Sequence, residues 1–206
     1  MPADPGRRRA PQFTWTEALA LLEHYNREAF HLEHAHTVAG VMAWYAVELG
    51  YGEEREFWRL VGLLHDIDFE QFPEEHCVRG ETLLLEAGVD PEIVRAAMSH
   101  AYGICSDIEP LHEMEKVLYA TDELTGLISA VTVIRPSRST LDLKLSSLKK
   151  KFKQNSFAAG CSRDVIRDGA GRLGWELDEL LERTIAAMQQ VERDAAAAES
   201  DGADGG

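Results

Sequence analysis

Apolar residues recur every three to four positions along most of this chain, and no stretch alternates convincingly with the period of two of a half-buried strand. The pattern predicts an all-α protein. Thr14-Trp15-Thr16-Glu17 has the form of a capping box, with Phe13 placed to staple onto Ala18, so a first helix is expected to run to about Phe30. A second is expected from about Leu32 to Gly50, and a third from near Glu53 through FWRLVGLLHD. Pro73, Asp90-Pro91 and Pro110 suit the first turns of three more. The β-branched run LISAVTVIRP continues the helical period from Val117 and Leu118, and is read as helix ended by Pro136. Later helices are expected over roughly 138–152, 162–170 and 176–196. Residues 1–12, rich in Pro and Arg, and the acidic, Gly-rich stretch 194–206 are expected to be disordered, leaving a single domain over 13–193.

Composition narrows the functional classes. The chain has 206 residues, 45% of them hydrophobic, enough for one well-buried domain. Thirty-six acidic against 21 basic residues disfavour a nucleic-acid polymer as the main partner. No apolar run is long enough to span a bilayer and no secretory leader is recognisable, so a cytoplasmic protein without a membrane partner is expected. Cys77, Cys105 and Cys161 are odd in number and lack CxxC spacing, which suggests neither a disulfide framework nor a thiolate zinc site. Five of the six lysines fall within residues 144–153, in DLKLSSLKKKFK. That cluster is a candidate for holding an anion, or else a solvated helix end.

The polar residues on apolar helical faces carry the candidate chemistry. At about 100° per residue, His34 lies within about 40° of Val38, Val41 and Tyr45, whereas His36 points away. His65 falls under Val61 and Trp58, His100 beside Ala96, Ala97 and Ile93, and Asp122 beside Leu118 and Tyr119. A buried imidazole or carboxylate must find a hydrogen-bond partner or a cation, because an unmet polar group costs about 1–3 kcal/mol. Adjacent His65 and Asp66 can converge on one cation, and the carboxylate can bridge to a second. Gly62, Gly80 and Gly126 each lie one turn from a candidate ligand, which indicates either room for a metal cluster or close helix packing. His24, His31, His36 and His112 read as surface or capping residues, with His31 kept open because it shares the face of His34.

EHAHTVA around His34, GLLHDID around His65-Asp66 and YATDELTG around Asp122 give the order His, His-Asp, His, His, Asp. That order resembles the HD superfamily of metal-dependent phosphohydrolases. With His76 and His100 in place, it is more similar to dinuclear members, such as the bacterial diadenosine tetraphosphate hydrolases. RPSRSTLDLKLSSLKKKFKQNSFAAG resembles a block of bacterial HDIG-type predicted hydrolases.

The resemblance implies an HD-domain helical bundle with its core at about 30–130 and a C-terminal helical extension at about 137–193. It also implies two divalent transition-metal ions. Asp66 would bridge them, His34, His65 and Asp122 would hold one, and His76 and His100 the other. Nitrogen and oxygen ligands without thiolate favour iron, manganese, cobalt or nickel, with zinc admissible. The implied reaction is hydrolysis of a phosphate ester or anhydride of a small phosphorylated metabolite, a nucleotide before others, by a hydroxide shared between the metals. Asp66 and Asp68 are the candidate catalytic residues, and Arg79, Lys150 and Lys151 the candidate substrate-binding cations. An HD-type di-iron oxygenase and a non-catalytic metal-dependent nucleotide sensor are the alternatives. A monomer and a homodimer are both admissible.

Overall fold

The computed structural model describes residues 11–203. Among these residues the secondary structure is helical apart from one isolated bridge between Tyr102 and Ser106. The helices are α1 Trp15–Tyr25, α2 Ala29–Glu48, α3 Arg55–Leu64, α4 Val78–Glu86, α5 Pro91–Met98, α6 Glu113–Val133, α7 Leu145–Phe152, α8 Arg163–Leu173 and α9 Leu177–Ala203. Short 3-10 turns cover Gly52–Glu54, Pro73–Glu75 and Ser99–Ala101. None of the helices is long and apolar enough to cross a membrane.

Helix α2 lies at the centre because it is apolar on most sides. Ala35, Val38, Ala39, Val41, Met42, Ala43, Tyr45 and Ala46 are all buried, and α3, α6 and α9 pack around it. The α2–α3 crossing depends on Gly62, where a Cβ would lie 2.9 Å from both the Ala39 Cα and the Val38 carbonyl oxygen. At the α6–α8 crossing, a Cβ on Gly169 would lie 2.5 Å from the Ala120 Cα. Close backbone approach therefore fixes both crossings, and α3, which His65 directly follows, and α6, which carries Asp122, are held against their neighbours at short range.

Several boundaries differ from expectation for local reasons. Helix α1 carries the capping box at Thr14 and Glu17 but stops at Tyr25, because Asn26 turns extended and its side chain donates to the Leu22 and Ile67 carbonyls. Glu70 then accepts from the backbone of Arg27 and Glu28, so α2 opens at Ala29. Pro73 opens only a 3-10 turn, and α6 begins past Pro110, where His112 and Glu115 form its capping box. The helix expected over 138–152 is confined to Leu145–Phe152. Arg138 has φ 49°, and Glu192 on α9 accepts from the Ser139 hydroxyl and from both the amide and the hydroxyl of Thr140. Helix α9 runs to Ala203, past the expected onset of disorder at 194, carried by the alanines at 195–198, the strongest helix formers. Residues 1–10 and 204–206, the rest of the two expected disordered termini, lie outside the described residues.

Candidate metal centre

Five elements deliver the candidate ligands to one place. His34 projects from α2 and Asp122 from α6, while His65 and Asp66 follow the last residue of α3. His76 follows the turn Pro73–Glu75, and His100 sits in the 3-10 turn that continues α5. The six side chains form two groups around Asp66. Its Oδ2 lies 3.8 Å from His34 Nε2 and 3.5 Å from His65 Nε2, and both rings also face Asp122 Oδ1, at 3.0 and 3.2 Å. Its Oδ1 lies 3.4 Å from His76 Nε2 and 3.2 Å from His100 Nε2, and those two nitrogens are 3.2 Å apart. One carboxylate thus presents one oxygen to each pair of imidazoles.

The backs of the rings are fixed by other partners. His65 Nδ1 lies 2.9 Å from the Gly62 carbonyl and His100 Nδ1 2.7 Å from the Ala97 carbonyl. A carbonyl can only accept, so each Nδ1 carries a proton, and Nε2 is the nitrogen that can offer a lone pair to the cluster once it is unprotonated. His76 Nδ1 is held by Asp68 at 2.8 Å, and the other oxygen of Asp68 accepts from the Gly80 amide at 2.7 Å. A Cβ at Gly80 would lie 3.1 Å from that carboxylate, so the glycine makes room for Asp68. Asp68 is fully buried behind His76 and does not line the open pocket. Sequence reasoning grouped Asp68 with the catalytic candidates, and in the structure its contacts run to His76 and Gly80.

Electrostatics and burial fit a cation at this place. His65 Nε2 is fully enclosed and faces the carboxylates of Asp66 and Asp122, at 3.5 and 3.2 Å, a setting in which a cation would be shared among the three. Burial opposes charge on His65, yet the carboxylates of Asp66 and Asp122 outweigh it and raise the imidazole to about 9. Burial likewise opposes charge on Asp66 and Asp122, but His65 with His100 for the first, and His65 with His34 for the second, hold both well below the usual carboxylate range. Two ionised carboxylates among four imidazoles, with donors 3.0–3.8 Å apart, form a suitable donor set for divalent transition metals.

The cluster opens into a cavity of about 360 Å³. Phe30, His31, Phe69, Ala101 and Ile104 form its apolar side, with Phe30 and Ile104 70% and 63% exposed at the mouth. Glu123, Gly126, Gly160 and Cys161 form the other side. Among the described residues lining it there is no lysine or arginine. The three expected substrate cations lie elsewhere. The Arg79 guanidinium sits 5.0 Å over the Phe72 ring, Lys151 caps the Phe157 ring at 4.7 Å, and Lys150 is exposed on α7. Stacking holds Arg79 and Lys151 against these rings, and Lys149 of the basic cluster pairs with Asp178 at 2.5 Å. His31 does line the pocket, although only its shared face with His34 pointed there.

Glu123 was not anticipated. Burial first, and Asp122 second, raise its carboxyl to about 7, while the Ser162 amide donates to it at 3.1 Å. Its position directly after Asp122 was the available signal. Residues 32–127 match the family model of the HD domain. This stretch of the chain is an HD domain. Searches of curated proteins and of solved structures return no match. The HD-domain superfamily is one of metal-dependent phosphohydrolases, and its model ends at residue 127, so Gly160 and Cys161 complete the pocket from outside the matched HD domain.

Proposed function

We propose that the protein hydrolyses a phosphate monoester of a small metabolite, a nucleoside monophosphate before others, using two divalent transition metals. The observation that carries this reading is the division of Asp66 between His34–His65 and His76–His100. Two ions bound there would supply Lewis acidity to the phosphoryl group and a nucleophilic water at neutral pH. His34, His65 and Asp122 would hold one, His76 and His100 the other, and Asp66 both. The carbonyls of Gly62 and Ala97 keep His65 and His100 in the ligating tautomer, and Asp68 orients His76. Glu123 is the remaining pocket carboxyl, placed to hold a proton for the leaving oxygen.

The choice of monoester follows from charge. Two divalent ions bring four positive charges, against which Asp66, Asp122 and Glu123 set at most three negative ones, and the described wall residues add no lysine or arginine. The small surplus suits a dianionic monophosphate better than a polyphosphate, which disfavours a dinucleoside tetraphosphate. Phe30, Phe69 and Ile104 offer a planar or apolar body its contact surface. The cation-free, apolar pocket also supports a second reading, a di-iron oxygenase acting on an uncharged substrate.

The test is inorganic phosphate release from matched mono-, di- and triphosphates by protein loaded anaerobically with Mn²⁺, Co²⁺, Ni²⁺ or Fe²⁺, with oxygen uptake followed for the iron form. Release from monophosphates, lost in Asp66→Ala, supports the hydrolase. Oxygen uptake without phosphate release favours the oxygenase, and nucleotide binding without turnover favours a sensor.

A further inference from the structure

Two of the three cysteines of the chain line this pocket, and the third meets one of them although they stand far apart in sequence. Cys105 and Cys161 line it, and Cys77 directly follows the candidate ligand His76. The sulfurs of Cys77 and Cys105 are 3.5 Å apart, and both residues are free thiols. We propose that Cys77 and Cys105 form an oxidative modification site, in which a peroxide joins them as a disulfide and the new bond loosens His76 from its metal.

The geometry supports both parts. A disulfide requires about 2.05 Å between sulfurs, so the pair must close by about 1.5 Å, a displacement within reach of side-chain rotation and a small loop shift. Cys105 is exposed and belongs to a tight loop after His100, where the amides of Ile104, Cys105 and Ser106 all donate to the Ala101 carbonyl. An oxidant reaches this thiol first. Cys77 is buried at the start of α4 with φ 68°, a left-handed conformation that is unusual for a residue other than glycine. With its backbone constrained in this way and His76 as its neighbour, a pull on Cys77 is passed to the ligand. Cys161 is not the natural partner, since its sulfur packs against Gly126 on the opposite wall, 3.2 Å from where a Cβ would stand.

The chemistry balances with one peroxide. The Cys105 sulfur attacks hydrogen peroxide, the O–O bond breaks, and a sulfenic acid and one water result. The Cys77 sulfur then attacks the Cys105 sulfur, the S–S bond forms, the S–O bond breaks, and a second water leaves with the thiol proton. Two thiols lose two electrons in total, and the peroxide gains them.

The experiment uses the full chain loaded with Mn²⁺. The protein is treated with hydrogen peroxide, remaining thiols are alkylated, and peptides are read by mass spectrometry, with metal per chain measured after desalting. The expected result is loss of two of the three thiols and a peptide pair joining Cys77 to Cys105. That link should appear in the wild type and in Cys161→Ser, and be absent in Cys105→Ser and Cys77→Ala. Metal content should fall from two per chain to one and recover with dithiothreitol and fresh Mn²⁺. Over-oxidation of Cys105 without a link, or a link from Cys105 to Cys161 or to another chain, overturns the pairing. A Cys77–Cys105 link with metal content unchanged overturns the effect on His76. The link is read independently of phosphate release, so failure of the hydrolase reading and failure of this proposal are distinguishable.

Discussion

Replacing Asp68 by asparagine tests whether a fully buried carboxylate with no exposure to the pocket governs half of the metal centre. Asp68 receives two donors, the His76 Nδ1–H at 2.8 Å and the Gly80 amide at 2.7 Å. Asparagine has one oxygen to offer and turns an NH₂ toward the second donor. If the oxygen serves Gly80, His76 relieves the clash by moving its proton to Nε2, the nitrogen that faces Asp66 and His100, and closes that atom to a metal. Leaving a buried donor unmet costs about 1–3 kcal/mol. Loss of a partner behind a metal-binding histidine costs about 10–100-fold in affinity, or about 1.4–2.8 kcal/mol, so the two estimates agree. The loss should be confined to one half, because the contacts of His34, His65 and Asp122 run to Asp66, Gly62 and one another, not to Asp68. Competition titration of the metal-free protein against a chromogenic chelator measures both affinities, and thermal melting checks the fold. One unchanged tight site and one site weaker by about 10–100-fold is the expected outcome. Equal weakening of both sites, or two sites of wild-type affinity, would refute the positioning role.

Further outcomes follow from other parts of the molecule. In metal-free protein His65 is raised from 6.5 to about 9, so its proton stabilises the fold fully below about 6.5, and that contribution is lost as the pH rises through about 9. The melting temperature of chelator-treated protein should fall over that span, while metal uptake strengthens by up to about tenfold per pH unit as the ring sheds its proton. Lys150→Ala and Lys151→Ala should each leave kcat/KM for a monophosphate within about twofold, since surface substitutions remote from a site usually act within about 0.5 kcal/mol. A larger loss would place the basic cluster at the substrate. Arg163→Gln should destabilise the protein by about 2–4 kcal/mol in urea unfolding, because the buried guanidinium donates to the carbonyls of Phe152, Gln154, Phe157, Ala158 and Cys161.

The helices and the clustering of most candidate ligands were legible in the sequence for the same reason. His34, His65, His100 and Asp122 lie on apolar stripes, and a polar residue within such a stripe has to be satisfied inside the fold. The substrate side of the pocket was not legible. Arg79 and Lys151 are drawn to Phe72 and Phe157 by stacking that only the folded loops create. Asp68 looked like a reactive neighbour of the HD pair, whereas the turn after α3 directs it inward toward His76 and Gly80. The meeting of Cys77 with Cys105 depends on two irregular turns, each with a positive φ, at Cys77 and at Gly103, and periodicity carries no information about either. Helix ends shifted where a distant side chain claimed the backbone, as Glu192 does at Thr140.

The pocket wall at Gly160 and Cys161 belongs to a loop held from behind by Arg163 and tied to Glu123 through the Ser162 amide. None of the six metal-facing side chains lies in that loop. The reactive centre and one face of the chamber above it are therefore encoded in separate stretches of the chain. Insertions, deletions or exchanges between residues 153 and 161 can reshape what the chamber admits while every ligand stays in register, provided Arg163 keeps its carbonyl acceptors. A change of that kind acts on the chamber and, through the Ser162 amide, on Glu123, but on none of the six clustered His and Asp side chains.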